Sequence, residues 1–159
     1  MVAQRPTSKP PSLFGRLLLA TQNILGASDS PSPETRHTKE PSITIAIVGD
    51  SMVDTMGTGL PYLAKALRSV YPDTRLELLN YGVGSTNINS GPERLTSPFI
   101  YQDRAYPSVI ESEPDLVIIE SFAYNPIPLS ESSLEHHASQ LTNMVTVLRS
   151  HGITNIMLL

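Results

Sequence analysis

Three short polar segments hold the residues whose types and spacing could do chemistry. GDSMVDTMG at 49–57 sets Ser51 between Asp50 and Met52, NYGVGSTNI at 80–88 carries Gly82 and Gly84, and ESFAYNP at 120–126 ends on Asn125 and Pro126. Acyl transfer asks for a hydroxyl nucleophile beside oriented N–H donors that stabilise the developing oxyanion. Ser51 supplies such a hydroxyl. Gly84 offers a backbone N–H that a ligand can approach closely, and Asn125 offers an amide N–H. Asp50 is expected to hold the Ser51 loop rather than to act on substrate. Each segment also has a plainer reading. Asp50 or Ser51 suits a helix N-cap, the glycines suit an ordinary turn, and an asparagine before proline often starts a turn. Singly, none of the three decides the function.

Their placement matters more. ITIAIV at 43–48 is a continuous β-branched run, as expected of a strand buried on both faces of a parallel sheet. Leu60, Leu63, Ala64, Leu67 and Val70 then recur at helical spacing, and Pro72-Asp73 ends that helix. A second strand is expected over 75–79 and a third over 115–119. Between them, 84–108 reads as loop with at most one helical turn. Ser132-x-x-Glu135 reads as a capping box opening a last helix, with Leu134, Ala138, Leu141, Met144, Val145 and Leu148 as its core stripe and His151-Gly152 as its stop. ITNIMLL at 153–159 reads as a fourth, central strand. Strands alternating with helices predict a parallel α/β sheet in a three-layer, flavodoxin-like sandwich, with strand order 2-1-3-4. In such sheets ligands bind beyond the carboxyl ends of the strands. The three polar segments leave those ends, so they are expected on one rim.

Composition bounds the alternatives. The 159 residues are 40% hydrophobic and 16% charged with a formal net charge of −4, which suits a globular domain and disfavours nucleic-acid binding. There are no cysteines, so disulfides and thiolate metal sites are excluded. Carboxylates and histidines do not cluster at ligand spacing, and no metal or cofactor is implied. Residues 1–41 are rich in Pro, Ser and Thr and read as a leader or linker, with 42–159 as the folded domain. The leader's apolar stretch at 13–25 is interrupted by Arg16, Gln22 and Asn23, short of the ~20 apolar residues of a membrane span. It is open to three readings: an export signal, an amphipathic membrane contact, or a poorly ordered tail. A signal or anchor would favour an extracytoplasmic or membrane-associated location.

Together the three segments resemble the SGNH (GDSL-type) hydrolase family. IAIVGDSMVDTMG is similar to its nucleophile block, LNYGVGSTNI to its glycine block and DLVIIESFAYNP to its asparagine block, a resemblance covering roughly 43–126 and continuing loosely through 132–159. It implies a serine ester hydrolase whose substrate is a small-molecule, glycan or lipid ester. Ser51 would be the nucleophile, and the N–H groups of Ser51 and Gly84 with the Asn125 amide would hold the oxyanion. Two blocks depart from the family pattern. Its Gly-x-x-Gly is here Gly82-Val83-Gly84, one residue shorter, so the donor is Gly84 or a neighbour. Its Gly-x-Asn-Asp is here Ala123-Tyr124-Asn125-Pro126, where proline removes a backbone donor and a polar side chain.

The family's base, a histidine in an Asp-x-x-His block, has no counterpart among these residues. His37 lies in the leader and His151 at the amino end of the fourth strand. His136 and His137 open the last helix and are the available substitutes. The base is therefore expected beyond Leu159, and the chain reads as the front portion of an enzyme, inactive alone. Two competing classes stand beside the esterase. One is a non-catalytic carbohydrate- or acyl-binding module. The other is a nucleotide-binding protein, disfavoured because no G-x-G-x-x-G or Walker loop follows the first strand.

Overall fold

The computed structural model describes residues 42–122 and 131–159. The leader, Asn125 and Pro126 lie outside the described residues. Strand β1 (Ser42–Gly49) opens the domain, followed by a single turn of helix, α1 (Ser51–Asp54), and by helix α2 (Pro61–Val70). Strand β2 (Arg75–Gly82) leads through a 3-10 turn at 88–90 to α3 (Gly91–Thr96) and a small hairpin of β3 (Phe99–Tyr101) and β4 (Arg104–Tyr106). Strand β5 (Leu116–Ile119), helix α4 (Glu131–Ser150) and strand β6 (Ile156–Leu158) complete the described chain.

The main sheet is parallel in the order β2-β1-β5-β6, the 2-1-3-4 order expected for the four strands. Alternation along β1 explains why its buried part, Ile45–Val48, is apolar on both faces. Ile45 and Ile47 join Val53, Leu60, Ala64 and Leu78 in a core beneath α2. Ala46 and Val48 face the other way, into a core with Tyr81, Ile88, Leu95, Val117, Ile119, Met144 and Leu148. Helices thus cover both faces, and the fold is the α/β sandwich that the strand–helix alternation predicts.

Several boundaries differ from expectation. The 84–108 stretch is more ordered than its composition suggests. The β3–β4 turn runs through Gln102 and Asp103, both at positive φ (48° and 59°), without the glycine that marks such turns in sequence. Helix α4 already includes Glu131, so Ser132-x-x-Glu135 does not cap it from outside. Only the second half of its stripe is core. Met144 and Leu148 are fully buried and Leu141 and Val145 pack against them, while Ala138 is exposed and Leu134 is 61% exposed. The helix stops where expected, with the His151 N–H on Leu148 O and the Gly152 N–H on Arg149 O. The fourth strand is shorter than ITNIMLL, and among the described residues it is the outermost of the four, with Met157 and Leu158 exposed.

Candidate active site

The carboxyl ends of β1, β2 and β5 meet at one rim. Gly49 pairs with Gly82 in register, the Val83 N–H donates to Gly49 O at 3.2 Å, and the Glu120 N–H donates to Val48 O at 2.9 Å. Beyond Gly49 the chain turns at Asp50 into α1. Asp50 is fully buried and caps this turn, its Oδ1 accepting from the Met52 N–H at 2.8 Å. The close fit depends on glycine at both strand ends. A Cβ on Gly82 would enter the backbone of Val53 and Asp54, and one on Gly49 would strike the Val53 side chain and lie 3.0 Å from Glu120 Cβ. The two strands therefore press directly on the turn that carries Ser51. The Ser51 Oγ is buried and has no hydrogen-bond partner among the described residues, and neither has Asp50 Oδ2. Buried polar atoms are satisfied in the great majority of cases, so two orphans at adjacent residues mark this turn.

The second segment is tied to the first by side chains. Asn80 Nδ2 donates to Val53 O at 2.8 Å and Gly57 O at 3.0 Å, while its Oδ1 accepts from the Gly82 N–H at 2.8 Å. The Gly84 N–H donates to the Tyr101 hydroxyl at 3.0 Å, and that hydroxyl donates to Asp54 Oδ2 at 2.8 Å. The hairpin thus reaches back to the rim and occupies the donor that sequence reasoning assigned to an oxyanion. The next residue, Ser85, has φ 61°, a left-handed conformation at which glycine is usual.

After β5, Glu120 folds over its own loop. Its Oε1 accepts from the Ser121 hydroxyl at 3.0 Å and its Oε2 from the Phe122 N–H at 2.9 Å. Phe122 is buried with φ 55°, an outlier for a bulky residue that costs on the order of 1 kcal/mol. Ser51 and Gly84 are brought to one rim; Asn125 falls outside the described residues.

Sequence reasoning missed Arg94. It is 5% exposed and reaches under the rim from α3. Burial lowers its pKa to about 10, against the opposing pull of Asp50, so it is a cation at neutral pH. Within a Ser- and Pro-rich stretch an arginine reads as a solvated charge, and nothing local marks it as buried. Among the described residues no histidine is hydrogen-bonded to Ser51 Oγ. The His136 ring instead meets Asn89 Oδ1, and His151 turns back to Val147 O at 2.9 Å. A cleft of about 360 Å³ opens beside Asp54, between Gly57–Gly59, the end of β2 and Gln102, Arg104 and Tyr106 of the hairpin; Ser51 does not line it. Among the described residues no group of three acidic or histidine side chains gathers at metal-binding distance, and no helix is long and apolar enough to cross a membrane.

No family model and no curated relative matches this sequence. Solved structures match its fold. An acetylxylan esterase from Geobacillus stearothermophilus, Axe2, superposes with a TM-score of 0.56 at 21% identity, over 76% of this chain and 60% of that one. AlinE4, described as an SGNH-hydrolase family esterase, gives 0.54 at 25% identity over 74% and 58%. A gut microbial diltiazem-metabolizing enzyme gives 0.58 at 13% identity, over 75% of this chain and 27% of that one. The fold is that of SGNH hydrolases, and the chain spans less than two thirds of the length of each of these three proteins.

Proposed function

We propose that this chain is the nucleophile-bearing portion of a serine ester hydrolase of the SGNH type. The observation that carries the reading is the Ser51 hydroxyl, buried and without a partner among the described residues, on a tight turn at the carboxyl end of strand β1. An orphaned serine Oγ costs stability as a structural group and gains a purpose as a nucleophile awaiting a base. In the proposed reaction Ser51 Oγ attacks the ester carbonyl and its proton passes to a base. The carbonyl oxygen, now an oxyanion, lies against the Ser51 N–H, an N–H of the 84–85 turn and the amide of Asn125. The alcohol then leaves with the proton, and water resolves the acyl-enzyme. The base is proposed to be a histidine outside these 159 residues. Within the 84–85 turn, Ser85 is the better donor, because the Gly84 N–H already serves Tyr101. Carbohydrate acetyl esters are the favoured substrate class, on the strength of the acetylxylan esterase among the structural neighbours; lipid and small acyl esters are the alternatives.

One observation favours a second reading. An N–H at the expected oxyanion position that is occupied by a tyrosine hydroxyl suits a non-catalytic ester- or glycan-binding module on the same fold. Treating the full-length protein with a fluorophosphonate probe separates the two. The esterase labels at Ser51 and the label disappears in Ser51→Ala; a folded wild-type protein that does not label would sink the catalytic reading.

A further inference from the structure

We infer that Arg94 is the positioning residue of this site, holding the Ser51 turn, the 82–85 turn and the segment after β5 at fixed spacing through one guanidinium. The inference rests on the esterase reading for its kinetic consequence, but its geometry stands apart from it. Nη1 donates to Gly49 O and to Tyr81 O, each at 2.7 Å. Gly49 lies two residues before Ser51, and Tyr81 lies immediately before Gly82 and the turn that carries Ser85. One nitrogen therefore joins the end of β1 to the end of β2, in line with the Gly49–Gly82 pairing. Nε donates to Ser90 O at 3.2 Å and anchors the stem on the residue that precedes its own helix. Nη2 lies 3.4 Å from Ser90 Oγ and 3.5 Å from Thr86 Oγ1, against the turn that follows Ser85. The flat cation sits 5.4 Å from the centre of the Phe122 ring, which brings in the third segment at its strained residue.

A purely structural arginine is the competing explanation. Such a group would spread its donors over whatever carbonyls lie near. Arg94 instead places both short bonds on the last carbonyl of β1 and the next-to-last of β2, the two strands that lead into the candidate site, and its ring contact on the exit of the third. Buried charge-assisted bonds of this kind are stronger and better aligned than neutral ones. They are also particular to arginine. The planar fork bonds in two directions while its face stacks on a ring, whereas a lysine ammonium is a single point on a flexible stem.

The test is Arg94→Lys in the full-length protein, with Phe122→Leu as a second variant that keeps the core filled and the hydrogen bonds intact. Below the melting transition, Arg94→Lys is expected to slow fluorophosphonate labelling and kcat roughly 10- to 100-fold, with KM changed by no more than about two-fold, because displaced reacting groups lose rate rather than ground-state binding. Amide hydrogen exchange should quicken at Met52, Val83 and Ser85 and stay unchanged at Ile47 and Leu78 in mid-sheet. Labelling and exchange at wild-type levels in folded Arg94→Lys would overturn the assignment, as would a rate loss that only tracks the unfolded fraction. Should Arg94→Lys not fold, Phe122→Leu carries the same readouts, with faster exchange at the same three amides expected and a wild-type pattern overturning. A wild-type protein inert to the probe sinks the esterase reading alone; the exchange pattern still decides the role of Arg94.

Discussion

The two apolar layers of this domain and the polar rim above them are built on opposite terms. In the layers, alternate residues of β1 part cleanly to the two faces and pack on apolar side chains from the helices and the neighbouring strands. At the rim, within a few residues, lie two buried atoms without partners, two non-glycine residues at positive φ and a buried cation. Such departures cost free energy and persist where the surroundings over-determine them. The contrast teaches that, Phe122 apart, the groups filling the layers and the groups gathered at the rim are different groups, so perturbations of one should read out separately from the other.

The largest separable effect is expected from a layer residue. Met144→Ala, at a fully buried position between α4 and the sheet, should lower stability by about 2–5 kcal/mol through lost contacts and a residual cavity. Labelling of Ser51 in the fraction that stays folded should be unaffected. Denaturant titration alongside labelling measures both, and a folded variant that no longer labels would erase the distinction between layers and rim.

Tyr101→Phe probes the rim itself. Losing the hydroxyl that joins the Gly84 N–H to Asp54 should cost about 0.5–1.5 kcal/mol. With Ser85 as the working donor, the labelling rate should change by less than about three-fold. A rise of about ten-fold or more would identify Gly84 as the donor and Tyr101 as its plug, since a single oxyanion donor is worth on the order of 10²–10³ in rate.

The smallest effect concerns Tyr81, whose hydroxyl meets Ser112 and Ser108 inside the core. Burial raises its pKa, with the hydrogen bond shared with Ser112 opposing and the charge of Glu111 adding. The native state therefore keeps the phenol proton to higher pH than the unfolded chain does. The contribution is fully present below about pH 10, the unfolded value, and is lost as pH rises through the higher folded one. Tyr81→Phe should flatten that alkaline loss. Denaturation midpoints of both proteins between about pH 8 and 11 check it, and equal slopes would refute it.

Much of this was legible in the amino-acid sequence because it is local or periodic. ITIAIV could only be a strand covered on both sides, and alternation of strands with helices led to the parallel sheet and its 2-1-3-4 order. From that order alone, Ser51 and Gly84 had to share a rim. What the sequence could not decide were relations between residues far apart in the chain. Arg94 looks solvated until α3 is laid beneath the ends of β1 and β2, 45 residues from Gly49 O. The Gly84 N–H looks free until the hairpin folds Tyr101 onto it, and that hairpin turns without the glycine that would have announced it. Periodicity reports which face of an element is apolar. Only tertiary structure reports which donor meets which acceptor, because those distances depend on how separate elements are packed together.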